Sequence, residues 1–319
     1  MAVYTQVSAE EMGVLLARYD AGTLVSAKGI AEGVENSNYL VDTTTDRFIL
    51  TLYEKRVDVG DLPFFMKLLD HLADAGNPVP RAIKDKQGVQ IQQVAGRSAC
   101  LIEFLSGVSV SHPTAPQARA AGAALGQMHK ALDGFEGARP NTMGIGDWHA
   151  LAARCGDDLD AIAPGLGARV ADELTYLDQH WPTDLPRSVV HADLFPDNVL
   201  MLGDQVTGVI DFYFACTEIR AWDVAVTHAA WCFENDGSGF HRDRSDALIA
   251  GYEDSHGLSP EERAAFIALA RGACLRFLLT RAWDWLNTPA DAMVTRKDPL
   301  AFLRRLDFYR DAPAGSLID

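Results

Sequence analysis

The chain has 319 residues with a formal net charge of −16, and 48% of its residues are hydrophobic. This apolar fraction is enough for a sizeable core and argues against a disordered chain. The negative charge argues against nucleic acid or an anionic membrane as a partner, since both bind basic surfaces. A phosphate-bearing ligand would have to be held by a local site with metal ions.

We expect neither a targeting segment nor a membrane-spanning segment. Its N-terminus carries early acidic residues and lacks the apolar run of a signal peptide. No stretch reaches the roughly 18 apolar residues that would suggest a membrane span. The five cysteines are scattered without metal-site spacing, as expected for reduced core thiols. We expect a cytoplasmic protein with no membrane partner, and the sequence leaves monomer or homodimer undetermined.

The first third of the chain predicts a helix followed mainly by strands. Residues 8–19 have helical periodicity, with Ser8 and Glu11 at the spacing of a capping box. The segments LVSAKGI, NSNYLVD and RFILTLYE predict strands, the last two joined by a turn at 43–46. A helix at 61–76 and two further strands, VQIQQV and ACLIEF, complete this β-rich part.

Beyond residue 107 the pattern is mainly helical. Two short apolar runs between residues 188 and 213 predict a hairpin with its turn at Gly203–Asp204. Separate strand-rich and helix-rich parts predict an α+β protein with two lobes, 1–105 and 106–319, instead of an alternating doubly wound sheet. Helical segments are predicted at 115–132, 151–180, 222–234, 243–256, 260–287 and 298–310.

The most informative segment is VVHADLFPDNVLMLGDQVTGVIDFYFA, residues 189–215. Asn198 follows Asp193 by five positions, and Asp211 ends an apolar strand that would pair with the run after Asn198. The hairpin is therefore expected to bring Asn198 and Asp211 together. Phosphoryl transfer needs a carboxylate for the acceptor hydroxyl proton and oxygen ligands for Mg²⁺. A single Asp or Asn commonly braces a turn, but protein-kinase catalytic loops have this whole spacing.

A second segment, GIAEGVENSNYLV, joins two predicted strands. It contains Gly33 and the polar run Asn36, Ser37 and Asn38. Glycine permits close backbone approach, and exposed N–H groups can bind phosphate. Such loops are common in hairpins, but this one precedes a catalytic-loop signature. The order therefore favours a nucleotide-binding loop.

Residues 191–211 and the order of the two parts resemble the aminoglycoside phosphotransferase/choline kinase superfamily, which has the protein-kinase-like fold. More narrowly, GIAEGVENSNYLV, FILTLYEKRV, DLPFFMKLLDHLADAG and EIRAWDVAVTHAAWCF are similar to the homoserine kinases of that superfamily. The resemblance covers most of the chain. It implies phosphorylation of the hydroxyl of L-homoserine to O-phospho-L-homoserine, a step of threonine biosynthesis, with ATP and Mg²⁺ as cofactors.

The resemblance also assigns roles within the catalytic segment. Asp193 corresponds to the catalytic base, and Asn198 and Asp211 correspond to the Mg²⁺ ligands. His191 would brace the loop. Asp223, in the run AWDVA, resembles the aspartate that braces the catalytic loop, which we favour over a role in binding substrate.

Nucleotide binding departs from the usual pattern of the superfamily. The hinge, Glu103 to Leu105, would offer backbone groups to adenine. Many relatives carry a strand lysine that holds the phosphates, but this chain has Thr51 at the expected position, and helix 61–76 lacks a glutamate to pair with such a lysine. The residues that could replace this lysine are Lys55, Arg56 and Lys28. We include Lys55 among the nucleotide-binding candidates. Its charge is equally compatible with simple exposure to solvent.

Substrate recognition is predicted on the segment LRFLLTRAWDWL. An arginine suits the carboxylate of homoserine, and an acid suits its ammonium group. Arg276, Arg281 and Asp284 are the candidates; helical spacing places Arg276 and Asp284 on one face and Arg281 elsewhere. The alternative is an aromatic cage for choline formed by Trp283 and Trp285.

Other functions are compatible with parts of this pattern. One is a kinase for another small alcohol, such as choline, an aminoglycoside or a sugar. Another is a non-catalytic nucleotide-binding regulator, suggested by the absent strand lysine. The presence of Asp193, Asn198 and Asp211 together weighs against that second alternative.

Overall fold

A computed structural model describes residues 4–30, 36–54, 57–288, 296–313 and 315–318. The chain divides into two compact units. The first, here the N-terminal unit, consists of Met1–Ser106 with Gly208–Tyr213, and the second, the C-terminal unit, of Gly107–Thr207 with Phe214–Asp319. The predicted assignment of nucleotide binding to residues 1–105 and catalysis to residues 106–319 stays a prediction.

The N-terminal unit contains a five-stranded antiparallel sheet. Its strands are β1 (Leu24–Ile30), β2 (Ser37–Thr43), β3 (Arg47–Leu52), β4 (Gln92–Val94) and β5 (Arg97–Glu103), in the order β1-β2-β3-β5-β4. Side chains of β2 alternate between buried and partly exposed, because successive residues of a strand point to opposite faces. The buried side forms a core with helix α1 (Ala9–Leu16). This helix begins at the predicted capping box of Ser8 and Glu11.

Helix α2 (Leu62–Asp74) completes the N-terminal unit. Pro63 stands in its first turn, where its missing N–H costs nothing. The helix buries an apolar face that includes Phe65, Leu68 and Leu72, and the chain turns away after it at Gly76, whose φ of 82° is left-handed. The spacing of apolar residues in the sequence predicted this helix correctly.

The C-terminal unit is mainly helical. Its helices are α3 (Ala115–Leu132), α4 (Ile145–Cys155), α5 (Leu159–Ile162), α6 (Leu166–His180), α7 (Arg220–Trp231), α8 (Arg242–Ser255), α9 (Pro260–Asn287) and α10 (Leu300–Asp311). Strand β6 (Arg187–Val190) pairs with β9 (Cys216–Ile219), and β7 (Val199–Leu202) pairs with β8 (Gln205–Val209), whose end belongs to the N-terminal unit. Helices α4, α7 and α10 pack on α9. This long helix therefore forms the centre of the unit.

Two predictions for this unit need correction. The continuous helical pattern over 151–180 is interrupted between α4 and α6, because Gly156 and Gly165 adopt positive φ values of 51° and 76°. Strand β9 was not predicted, because its four residues have no clear alternation. The α+β fold class is confirmed, with strands concentrated in the N-terminal unit and helices in the C-terminal unit.

The structure agrees with the expectations for cysteine. All five cysteines are free and buried, and burial raises the pKa of the Cys216 thiol to about 12. Thiols in such surroundings are unreactive. Within the residues that the structure describes, no helix has both the length and the apolar character needed to cross a lipid bilayer.

Candidate active site

The candidate catalytic loop connects β6 to β7 and contains a strained residue. Ala192 has a φ of 65°, a left-handed conformation that costs a non-glycine residue about 1 kcal/mol. Two buried charged side chains hold this residue. The Asp223 carboxylate accepts its N–H at 2.8 Å, and the Arg276 guanidinium donates to its carbonyl oxygen. The backbone immediately before Asp193 is thus fixed on both sides.

Asp223, in the first turn of α7, organises the contacts beneath the loop. It is completely buried and accepts the N–H groups of His191 and Ala192, each at 2.8 Å, and Nε2–H of His129 at 3.1 Å. Burial would raise the pKa of Asp223, but the hydrogen bond from His129 and the contacts with His191 hold it below its usual range. The structure therefore shows the bracing contacts expected of this aspartate.

The buried His129 ring is neutral and has a defined tautomer. Burial lowers the pKa of His129, so the ring is neutral at physiological pH. Because Nε2 carries the proton donated to Asp223, Nδ1 is the acceptor for the Tyr252 hydroxyl at 2.9 Å. The Tyr252 hydroxyl thereby fixes the ring that donates to the buried Asp223 carboxylate.

Asp193 and Asn198 meet within the loop. The Asn198 amide donates to the Asp193 carbonyl oxygen at 2.8 Å and to its carboxylate oxygen Oδ2 at 3.1 Å. His191 Nδ1 accepts the N–H of Asp193 at 3.2 Å, which is the bracing role predicted for His191. Asp193 is partly exposed, whereas Asn198 is nearly buried. The carboxylate is thus held in place while a ligand can still reach it.

Asp211 lies in the N-terminal unit, two residues beyond β8. It is partly exposed and has a left-handed φ of 67°. The segment is anchored within this unit, because the N–H of Val209 donates to the Pro78 carbonyl oxygen at 2.7 Å. In addition, the Tyr213 ring packs edge-on against Tyr53 with centroids 5.5 Å apart. The predicted proximity of Asp211 and Asn198 stays a prediction.

The predicted nucleotide-binding loop is described only in part. Gly33 and Lys55 lie outside the described residues. The Ser37 hydroxyl accepts the N–H groups of Tyr4 and Thr5 and donates to Glu54, which uses its full hydrogen-bonding capacity. Any contact of Ser37 with phosphate would therefore have to involve its backbone.

The neighbouring asparagines also make contacts inside the unit. Asn36 Oδ1 accepts the N–H of Glu54 at 3.3 Å, and Asn38 Oδ1 accepts the hydroxyl of Thr51 at 2.8 Å. Thr51 is the residue at the position of the usual strand lysine, and its side chain is buried. In the described part of this loop, the side chains of residues 36–38 are therefore engaged within the unit.

The predicted hinge begins at the end of β5. Glu103 is tied to Arg81 by a reciprocal pair of contacts: its N–H donates to the Arg81 carbonyl, and its carboxylate accepts the N–H of Arg81, both at 2.9 Å. Leu105 follows outside the strand and is partly buried. The interaction of these residues with adenine stays a prediction.

The three candidates on α9 lie in different surroundings. Arg276 is buried beneath the loop, with 2% of its surface exposed, and contacts Ala192. Arg281, which was expected to point elsewhere, is partly exposed. Burial and the neighbouring Arg305 lower its pKa to about 10, and the charge of Asp193 opposes this change. Asp284 is also partly exposed, one turn further along the helix.

Each of the two tryptophans considered for an aromatic cage contacts an arginine. The Arg154 guanidinium lies 3.9 Å from the ring centroid of Trp283, and the Arg296 guanidinium lies 4.7 Å from that of Trp285. A cation already occupies a face of each ring. This arrangement disfavours the choline alternative that was based on these residues.

Comparison with known proteins identifies the family. A profile of the phosphotransferase enzyme family matches residues 26–266. The chain belongs to this family. It is 58% identical to the homoserine kinase of Zymomonas mobilis, covering 99% of both chains, and 51% identical to that of Methylorubrum populi, covering 98% of this chain and 97% of the relative.

A solved structure shares the fold of this phosphotransferase. Amicoumacin kinase, in complex with AMP-PNP, Ca²⁺ and amicoumacin, has a TM-score of 0.72 at 14% identity, covering 95% of this chain and 94% of that one. At this identity the similarity shows the fold alone. Membership of the phosphotransferase family implies that ATP is the phosphoryl donor.

Sequence reasoning missed one residue of the phosphotransferase site, His129. It lies in the Ala-rich helix α3, 94 positions before its partner Asp223. The available signal was its place on the buried face of that helix, alongside Leu125 and Met128. A polar ring on an apolar face needs a buried partner, but only the fold identifies which one.

Proposed function

We propose that the protein transfers the γ-phosphoryl group of ATP to the hydroxyl of L-homoserine, forming O-phospho-L-homoserine and ADP. The observation that carries the proposal is the identity of 58% and 51%, over nearly the whole length, with two homoserine kinases. The loop geometry supports the phosphotransferase chemistry, and the identity supports the acceptor. Such a reaction would place the protein on the route to threonine.

Asp193 is the residue proposed to act on the acceptor. Its carboxylate is exposed enough to accept a hydrogen bond from the substrate hydroxyl, and Asn198 fixes its orientation. As the hydroxyl oxygen bonds to the γ-phosphorus, its proton passes to Asp193, and the bond from the γ-phosphorus to the bridging oxygen of ADP breaks. The protein's main task in this chemistry is to position and orient the reactants.

Asn198 and Asp211 are the proposed ligands of Mg²⁺. The Asn198 amide nitrogen donates to Asp193. The amide oxygen is therefore the Asn198 atom proposed to bind the metal. An amide oxygen and a carboxylate are the donors that Mg²⁺ takes, together with nucleotide phosphates and water. When bound, Mg²⁺ would neutralise charge on the phosphates.

The metal assignment predicts a specific change in metal dependence. Asp211→Ala and Asn198→Ala are expected to abolish turnover or to raise the Mg²⁺ concentration needed for half-maximal rate, because each removes an oxygen ligand. Asp197→Ala is the matched control, since this exposed loop carboxylate pairs with Lys297 at 3.3 Å. Initial rates across a Mg²⁺ titration, with melting temperatures alongside, make the measurement. Full activity of either variant at low Mg²⁺ would remove that residue from the ligand set.

A panel of acceptors tests the proposed substrate. Purified protein with MgATP is expected to release ADP with L-homoserine at a kcat/KM at least about 10²-fold above that with choline or kanamycin, because a site built for a substrate's polar groups rejects analogues that lack them. Equal or faster turnover of choline would exclude homoserine as the preferred acceptor and leave a kinase. Tight ATP binding without turnover of any acceptor would indicate a regulator.

A further inference from the structure

We propose that Arg281 binds the carboxylate of the amino-acid substrate and thereby makes the enzyme prefer homoserine to amino alcohols that lack this group. This inference rests on the proposed function, because it concerns the same acceptor. It is carried by the position of Arg281, by its lack of a carboxylate partner among the described residues and by its partial burial.

The position of Arg281 connects α9 to the catalytic loop. Its guanidinium lies 4.5 Å from the ring centroid of Phe302, on α10. The Phe302 ring is 6.0 Å from the ring of Phe195, which follows Asp193 by two positions. Phe277, one turn before Arg281 on α9, packs against Phe195 at 4.8 Å. Arg281 thus belongs to the aromatic cluster that supports the loop.

The other arginines of α9 already have strong partners. Arg271 forms a bidentate pair with Glu173, with both distances 2.7 Å, and Arg263 pairs with Glu253 at 2.6 Å. Arg276 donates to the carbonyl oxygen of Ala192 in the catalytic loop. These three side chains therefore serve the packing of the protein.

Arg281 differs from them. Its one hydrogen bond within the described part of the chain goes to the carbonyl oxygen of Asp298, at 3.3 Å, and no described carboxylate lies within ion-pair distance. A guanidinium has five N–H donors in a planar fork that matches a carboxylate. Most of that fork is thus available to a ligand that reaches this partly exposed side chain.

The guanidinium of Arg281 is poorly hydrated. Burial and the neighbouring Arg305 lower the pKa of Arg281 to about 10, while Asp193, Asp197 and Asp298 oppose that change. The group is therefore charged at neutral pH but has lost much of its hydration. A substrate carboxylate would restore the lost interactions, and an ion pair in such surroundings is stronger than one in water.

The chemistry of the acceptor provides a direct comparison. Removing the carboxylate of homoserine leaves 3-aminopropan-1-ol, which keeps the same hydroxyl and the same amine at the same separation. The two compounds differ in the group that Arg281 is proposed to bind. The ratio of their kcat/KM values therefore measures this interaction separately from phosphoryl transfer.

The experiment compares Arg281→Met and Arg281→Lys with the wild type on both acceptors. Arg281→Met is expected to lower kcat/KM for L-homoserine by about 10²-fold or more, chiefly through KM, because a partly buried charge pair loses one member. The ratio of homoserine to 3-aminopropan-1-ol should fall by a similar factor. Arg281→Lys keeps the charge but not the planar fork, so its ratio should lie between those of the wild type and Arg281→Met. Arg310→Met, near the exposed end of α10, is the control and should leave the ratio unchanged.

Several outcomes would overturn the proposal. One such outcome is an unchanged ratio of the two kcat/KM values in Arg281→Met. This holds if activity is retained, and it also holds if the kcat/KM values for both acceptors fall by the same factor, because an equal fall indicates a structural role. If Arg281→Met fails to fold, an equal fall in kcat/KM for both acceptors in Arg281→Lys would overturn the proposal. A wild-type enzyme that phosphorylates another alcohol but not homoserine would instead overturn the proposed function and this inference together. Melting temperatures of all variants accompany the kinetics.

Discussion

Asp193→Asn is expected to lower kcat for homoserine by about 10²–10⁴-fold while ATP binding changes little. The substitution keeps the shape of the side chain but removes the carboxylate that would accept the hydroxyl proton. General-base assistance is typically worth about 10²–10⁴-fold in rate, which corresponds to roughly 3–5 kcal/mol. The proposed Mg²⁺ ligands are unaltered, so calorimetric titration with nucleotide should give nearly the wild-type affinity.

The control for this variant is Asp197→Asn, in the same loop. Asp197 is exposed and pairs with Lys297, whereas Asp193 is held by Asn198 beside the buried part of the loop. Its substitution is expected to change kcat by less than about threefold, as for other exposed ion pairs of small energetic value. Wild-type turnover by Asp193→Asn, or a loss of activity only in step with ATP affinity, would exclude Asp193 from the chemistry.

Asp223→Ala is expected to destabilise the protein strongly. The substitution leaves the N–H groups of His191 and Ala192 and the Nε2–H of His129 without their buried acceptor. Breaking a buried charged network in this way costs about 3–5 kcal/mol. At roughly 2–4 °C per kcal/mol for a large domain, the melting temperature should fall by on the order of 10 °C.

The same substitution should also reduce activity. Without Asp223 one of the two contacts that hold Ala192 in its left-handed conformation is lost, so the backbone before Asp193 can relax. Asp172→Ala on α6 is the matched control, because that acid is exposed and should affect neither property. A thermal denaturation curve for Asp223→Ala that coincides with the wild type would contradict the bracing role of Asp223.

Local signals in the sequence predicted much of the fold. Ser8 and Glu11 identified the start of α1, and the apolar pattern of residues 260–287 predicted the bounds of α9. These predictions succeeded because caps and periodicity depend on neighbouring residues. The pattern over 151–180 failed because a glycine that ends a helix and one inside it look alike until the backbone conformation is known.

In the candidate site, too, local features could be predicted from the sequence and long-range contacts could not. The spacing of Asp193 and Asn198 was informative because both residues belong to one short loop, in which sequence distance limits spatial distance. The partners of Asp223 and the burial of Arg276 depend on contacts between distant parts of the chain. Helical spacing therefore could not show that Arg276 lies under the loop while Arg281 remains available.

The most direct test of the account is to identify the product of the wild-type protein incubated with MgATP and L-homoserine. We predict that ³¹P NMR will show a new phosphomonoester signal, split by the protons of the adjacent methylene group, growing in step with ADP and absent when homoserine is omitted. Release of inorganic phosphate alone, or a phosphomonoester formed only when a different alcohol replaces homoserine, would contradict the proposed function.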